Sequence, residues 1–333
     1  MTAVESQPTH AWPISFDDVK AARSRIAPHL SPTPFREYPQ LAQLVGNGIR
    51  LYVKHENHQP TCSFKIRNGL SFMTALSAEE RRRGVVAAST GNHGQGIAYG
   101  AQLLGVPATV CVPLGNNPSK NAGMRALGAT VVEEGRDYDE SVHAMLRIAR
   151  AEDRVVAHST NDPRVVAGAA TMTLEILEQC PELDALVIAT GGGSQAVGAM
   201  TVARALAPNL EVFGVQAAGA PAIHDSWHLR QRVTTPHADT FAEGVATRTT
   251  YDLTFPALLE GLAGFVTVTD AEIAESLRTI LAVTHNLVEG SGAMGFAALP
   301  KLADRLAGKR VGIVFCGGNI DVAMLERILR REI

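Results

Sequence analysis

The stretch Thr61–Gly69, TCSFKIRNG, sets Lys65 where a helix is expected to begin, with Ser63 at the place of a capping residue. The helix macrodipole disfavours a positive charge there. The amine of Lys65 is therefore expected to lose its proton more readily than a surface lysine, and to act as a nucleophile able to form a Schiff base. A second feature is the run Gly191-Gly192-Gly193-Ser194, which follows the apolar DALVIA and precedes a helical pattern. Glycines let backbone N–H groups converge, and the helix that follows adds its positive end; together they seat an anion such as phosphate. A dinucleotide would call for an acid at the end of the next strand, EVFGVQA, where Gln216 stands instead, and no Gly-Lys-Ser/Thr of a nucleotide P-loop is present. A reactive lysine and a phosphate seat without a ribose partner point to pyridoxal phosphate, which carries both an aldehyde and a phosphate. Taken one at a time, a solvated helix lysine and a tight strand-to-helix turn stay open as plainer readings.

Such groups need a scaffold, and the chain reads as α/β almost throughout. Seven short apolar runs have strand character: GVVAAST, ATVCVP, ATVVEEG, DALVIAT, EVFGVQA, GFVTVTD and RVGIVFCG. Amphipathic stretches such as SKNAGMRALG, RVVAGAATMTLEILEQC and AEIAESLRTILAVTHN lie between most of them, which predicts parallel sheets wound by right-handed crossovers. In open sheets of this kind ligands sit beyond the carboxyl ends of the strands. Three glycine-rich turns follow strands directly: STGNHGQG, TGGGSQAVG and CGGN. The segment 216–261 interrupts the alternation and reads as an excursion over a site. The 333 residues suffice for two lobes, and the formal net charge of -3 offers no basic surface for nucleic acid. No apolar run reaches the roughly 18 residues of a membrane span, and no signal pattern opens the chain, so the cytoplasm is the expected location. The cysteines at 62, 111, 180 and 316 show no CxxC spacing and suggest neither disulfides nor zinc. Cys111 reads as a small buried hydrophobe.

The motifs ENHQPTCSFKIRNG, ASTGNHGQG, GGGS, EGSGA and CGGNID, in this order, resemble those of the fold-type II pyridoxal-phosphate enzymes, and within them the threonine/serine dehydratases and serine racemases. The resemblance runs from about residue 15 to the end. It implies a tryptophan synthase beta-like fold of two open, mostly parallel twisted sheets flanked by helices. A large cofactor-binding domain would comprise residues 1–55 and 156–333, and a small domain, 56–155, would close over the substrate, with no C-terminal regulatory domain. It further implies that Lys65 holds the cofactor and then serves as the base at Cα, and that Phe64 packs beside the ring. Asn92 would bond the ring's phenolic oxygen, Gly191, Gly192, Gly193 and Ser194 the phosphate. Gly244 and Glu289 would line the ring's other edges, and Cys316 would face its nitrogen. Ser89, Thr90, Gly91, Asn92 and His93 would receive the substrate carboxylate. A thiol at Cys316 cannot keep the ring nitrogen protonated as a carboxylate would, which suits prompt loss of a β-leaving group over transamination.

The implied reaction is β-elimination from a β-hydroxy amino acid of threonine or serine type, giving a 2-oxo acid and ammonia, by a cytoplasmic homodimer. An amino-acid racemase, an elimination enzyme for hydroxyaspartate, phenylserine or a diamino acid, and a non-catalytic binder of pyridoxal phosphate or a phosphate ligand stay open. Cys62 and Asn68 stand where the family often has glycine, and GAAT at 168–171 departs from Gly-Gln-Gly-Thr. The acids that hold a divalent cation in many members are replaced by Gln216 and the apolar AAGAPA, so no metal site is expected there. His224 and His228 have the i, i+4 spacing of a metal pair but no evident third ligand, and HENH at 55–58 reads as a polar turn.

Overall fold

The computed structural model describes residues 12–136 and 138–333; residues 1–11, where the search for a signal pattern fell, and Asp137 lie outside them. Strands are β1 (Phe35–Glu37), β2 (Arg50–Lys54), β3 (Val85–Ala88), β4 (Ala108–Val112), β5 (Thr130–Glu133), β6 (Val155–Val156), β7 (Ala185–Ala189), β8 (Glu211–Ala217), β9 (Gly264–Val268) and β10 (Arg310–Val314). Helices are α1 (Phe16–Ile26), α2 (Pro39–Val45), α3 (Lys65–Thr74), α4 (Ala78–Arg83), α5 (Asn92–Leu104), α6 (Pro118–Ala126), α7 (Tyr138–Ala151), α8 (Pro163–Gln179), α9 (Ser194–Leu206), α10 (Ala222–Leu229), α11 (Phe255–Gly261), α12 (Asp270–Thr284), α13 (Gly290–Leu302) and α14 (Val322–Leu329).

The strands form two sheets, one of order β1-β2-β10-β7-β8-β9 and one of order β5-β4-β3-β6. All neighbours are parallel except β1, which runs antiparallel on the edge beside β2. All seven runs read as strands are strands, and the sequence reading missed β1, β2 and β6. Parallel strands covered on both faces need apolar residues throughout rather than in alternation. Val85–Ala88 and Ala108–Val112 accordingly have no exposed member. In the larger sheet, Leu186 and Ile188 of β7 enter one core and Ala185 and Val187 the other.

Helix starts follow local chemistry. Asp162 caps α8 ahead of Pro163, and Ser15, Ser77 and Thr269 form capping boxes at α1, α4 and α12. Two backbone-close crossings fix α3. A Cβ on Gly69 would lie 2.2 Å from the Gly96 carbonyl oxygen of α5, and one on Gly168 of α8 would lie 2.5 Å from that of Arg67. The HENH segment is a 3-10 turn, Glu56–His58, but not a solvated one: His55 and Glu56 are wholly buried. The excursion at 216–261 contains two helices, α10 and α11, so only its middle is irregular.

Candidate active site

The turns after β3, β7 and β10 open at the same end of their sheets and enclose one cavity of about 1530 Å³. Every residue expected at the site lines it, from Phe64 and Lys65 through the 89–93 loop to Gly244, Glu289 and Cys316. Lys65 is the first residue of α3. The cap position falls on Phe64, not Ser63 as expected, although the Ser63 hydroxyl accepts from the Lys65 amide at 3.3 Å. The amine stands 4.9 Å from the Phe64 ring centroid. Burial lowers its pKa to about 8, while Cys316 and Glu289 act weakly the other way. The cause is therefore desolvation, where the sequence had suggested the helix dipole.

A line of hydrogen bonds crosses the floor. Asn319 Nδ2 donates to Asn92 Oδ1 (2.8 Å), Asn92 Nδ2 to Glu289 Oε1 (2.7 Å), and Ser291 Oγ to the same oxygen (2.8 Å). Cys316 Sγ donates to Ser291 Oγ at 3.5 Å. Burial raises the carboxyl of Glu289 and pushes the Cys316 thiol up to about 12, so Cys316 is a neutral donor. Ser89 Oγ accepts from the amides of Gly91 (3.1 Å) and Gly94 (2.9 Å), which shapes the loop, and Asn116 Nδ2 holds the Thr90 carbonyl at 3.2 Å. His93 is buried with Nε2 on the Ala157 carbonyl at 2.9 Å, and burial lowers its pKa to about 3, so it meets a substrate as a neutral ring.

The glycine loop carries the mark of an anion seat. Gly193 caps α9 at φ +91°, a left-handed conformation that favours glycine, and no side chain makes a capping hydrogen bond there. A Cβ on Gly192 would lie 2.1 Å from Thr160 Oγ1, and one on Gly191 would lie 2.7 Å from the Gly244 carbonyl. Thr254 Oγ1 fastens the loop by donating to the Gly192 carbonyl at 2.6 Å. Thr160, Thr254, Ser291, Asn319 and the cavity-lining Tyr138 and Tyr251 escaped the sequence reading. Asn319 and Ser291 had a signal, since one ends the CGGN turn and the other stands in EGSGA.

Elsewhere, Gln216, which stands where many family members have a cation-holding acid, accepts through Oε1 from the amides of Ile223 (3.1 Å) and His224 (2.9 Å) at the start of α10. His224 pairs with Asp225 and His228 with the Phe265 carbonyl. No group of three or more His, Cys, Asp and Glu able to hold a metal occurs among the described residues, and none of their helices is long and apolar enough to cross a membrane.

Residues 26–317 match the family described as pyridoxal-phosphate dependent enzyme. The chain belongs to that family. It is 38% identical over 318 residues to an L-threonine ammonia-lyase of Thermotoga maritima, covering 96% of this chain and 79% of that one. It is 34% identical over 319 residues to an L-threo-3-hydroxyaspartate ammonia-lyase of a Pseudomonas species, covering 95% and 98%. The structure of maize serine racemase superposes with a TM-score of 0.90 at 27% identity, over 96% of this chain and 98% of the other. The cofactor of a pyridoxal-phosphate dependent enzyme fits the residues present: a glycine-rich anion seat at 191–194, an amine of lowered pKa at Lys65, and the neutral thiol of Cys316, all lining one cavity.

Proposed function

We propose that this protein catalyses β-elimination from a β-hydroxy amino acid of threonine or serine type, giving a 2-oxo acid and ammonia. The observation that carries the reading is the pairing of a half-buried, readily deprotonated Lys65 with a glycine-built anion seat in one cavity, in a chain 38% identical to an L-threonine ammonia-lyase. When bound, pyridoxal phosphate holds the substrate amine and takes up the electrons released at Cα. The phosphate would rest on Gly191–Ser194, with Phe64, Asn92, Gly244, Glu289 and Cys316 around the ring. Ser89, Thr90, Gly91, Asn92 and His93 would receive the substrate carboxylate through loop amides and the neutral imidazole. Lys65, as the free amine, takes the Cα proton and so becomes the ammonium that returns a proton to the departing β-hydroxyl; water leaves. The released enamine takes up water and gives the 2-oxo acid and ammonia.

Lys120, Arg136, Arg248 and Arg327 line the cavity wall, so L-threo-3-hydroxyaspartate is the competing substrate that the test must separate. We carry over from the family resemblance the division into domains 1–55 with 156–333 and 56–155, the closure of the smaller over substrate and a cytoplasmic homodimer, and we infer independence of metal from the loss of the family's acids at Gln216 and AAGAPA. The test is 2-oxo acid release from L-threonine, L-serine, L-threo-3-hydroxyaspartate, phenylserine and diaminopropionate, with the chirality of recovered serine followed. Fastest release from threonine or serine supports the reading; racemisation without release, or hydroxyaspartate as the fastest substrate, overturns it.

A further inference from the structure

Beneath Lys65, on the side of α3 away from the cavity, lies a cluster of charges that no step of the reaction uses. Arg67, in the same first turn, is wholly buried and spends all five of its N–H donors. Nε and Nη2 donate to the two oxygens of Glu56, both at 2.8 Å. Nη1 and Nη2 donate to the two oxygens of Glu175 at 2.8 and 2.7 Å, and Nη1 also to Thr171 Oγ1 at 3.3 Å. Lys54 Nζ completes the cluster on Glu175 (2.8 Å) and the Thr33 carbonyl (2.7 Å), and Thr33 Oγ1 donates to Glu56 at 2.6 Å. Lys54, Glu56, Arg67 and Glu175 have no side-chain exposure. Their formal charges cancel. Arg23 of α1 reaches Glu175 from the rim.

We infer that Arg67 is a positioning residue for Lys65: its guanidinium, locked between Glu56 and Glu175, fixes the helix turn from which the reacting amine enters the cavity. The inference rests on the reading of Lys65 as the reacting group. The amine of Lys65 has no hydrogen-bond partner of its own among the described residues, so its place depends on the backbone it hangs from and on the Phe64 ring beside it. That backbone is gripped on one side by the glycine crossing with α5 and on the other by the Arg67 cluster, which reaches β2, the 56–58 turn and α8. A buried ion cluster is often no more stabilising than an apolar core of the same volume. What five directed bonds add is a unique position for the turn, and displacing a reacting group by about 1 Å can cost about 100-fold in rate.

The test compares Arg67→Lys with Lys54→Met, which removes a charge that bonds Glu175 and the Thr33 carbonyl and makes no bond to α3. For each holoenzyme, melting temperature, kcat, KM for the fastest amino acid of the panel, and the visible spectrum of bound cofactor against pH are measured. Arg67→Lys is expected to lower kcat by about 30-fold or more with KM within about 3-fold, and to shift the midpoint of the spectral pH titration. Lys54→Met is expected to lower the melting temperature at least as far while leaving kcat within about 3-fold and the spectrum unchanged. A kcat that falls with melting temperature equally in both variants overturns the inference, as does an Arg67→Lys enzyme with wild-type kcat and spectrum. Should Arg67→Lys fail to fold, Thr171→Val removes one of the five bonds: a spectral shift of any size with kcat down about 3-fold supports the inference, and no change in either overturns it. A wild-type protein that binds cofactor but releases no 2-oxo acid would refute the proposed reaction instead, and the spectral comparison would still decide the role of Arg67.

Discussion

Two lysines, Lys65 at the start of α3 and Lys54 at the end of β2, meet opposite fates. Burial lowers the pKa of both. Lys54 is answered by Glu175 at 2.8 Å and the Thr33 carbonyl at 2.7 Å, so its charge is kept and its position fixed. Lys65, opening on the cavity, has only Cys316 and Glu289 acting from a distance and settles at about 8. Desolvation alone does not make a lysine reactive; desolvation without a carboxylate partner does.

The largest effect expected from that contrast is at Lys65. Lys65→Ala should lose about 10⁴-fold in 2-oxo acid release, and borohydride should no longer fix cofactor to the chain. Undiminished turnover would break the comparison at its root. Glu175→Gln should act on the other lysine, costing about 3 kcal/mol in a urea unfolding curve, because Arg67 and Lys54 lose their shared counter-charge. The same carboxyl gives a pH signature. Burial pushes it up, but Arg67 and Lys54 more than reverse this and hold it at about 2, below its ordinary 4.5. Its stabilisation is therefore complete above pH 4.5 and lost as pH falls from there towards 2, and Glu175→Gln should flatten that limb of the stability profile.

A third expectation sharpens the contrast in rate. Capture of pyridoxal phosphate by cofactor-free protein needs the neutral amine, so its rate should rise with pH through a midpoint near 8, read as growth of the visible band. A midpoint near that of free lysine would show that burial does not act on the amine in solution. Smaller effects are expected at Cys316, whose neutral thiol a hydroxyl can replace as a donor: Cys316→Ser should retain activity within about 5-fold. Cys316→Asp should raise the share of turnovers ending in transamination, and unchanged partitioning would mean the side chain does not meet the ring nitrogen. The smallest response should be to chelator, with activity altered by less than about 2-fold, since Gln216 spends its oxygen on the α10 amides. Restoration of a chelated enzyme by magnesium would direct mutation to His224, Asp225 and His228.

What the sequence made legible follows from locality. The seven strands announced themselves as apolar runs because parallel strands are buried on both faces. β2, RLYVK, escaped because two of its five residues are charged, and the burial of Lys54 depends on Glu175, 121 residues away. β6 escaped because it has two residues. Lys65, the glycine loop and Cys316 could be picked out because each sits in a turn whose grammar is local. The lowered pKa of Lys65 was foreseen with the wrong cause, since a helix start can be read from neighbours in sequence and burial cannot. The Arg67 cluster, Thr160 behind Gly192 and the two tyrosines are contacts across the chain, and no spacing encodes them. HENH shows both sides: its polar composition marked a turn, but not that partners at Thr33 and Arg67 bring Glu56 inside.

The lysine loop is stitched to the turn after β10. Phe64 and Cys316 share a backbone hydrogen bond of 3.0 Å, Gly318 donates to the Cys62 carbonyl at 2.8 Å, Ser63 bridges Gly317, and Asn319 holds the Thr61 carbonyl across 258 residues. On the ribosome, where chains emerge at about 5–20 residues per second, the segment bearing Lys65 must wait more than ten seconds for the strand that completes its surroundings. Contacts so distant in sequence are also the slowest to close, because the entropy of the intervening loop is lost before they give anything back. The reacting amine is thus made early and enclosed late, and a nascent chain stopped short of β10 is expected to take up no cofactor.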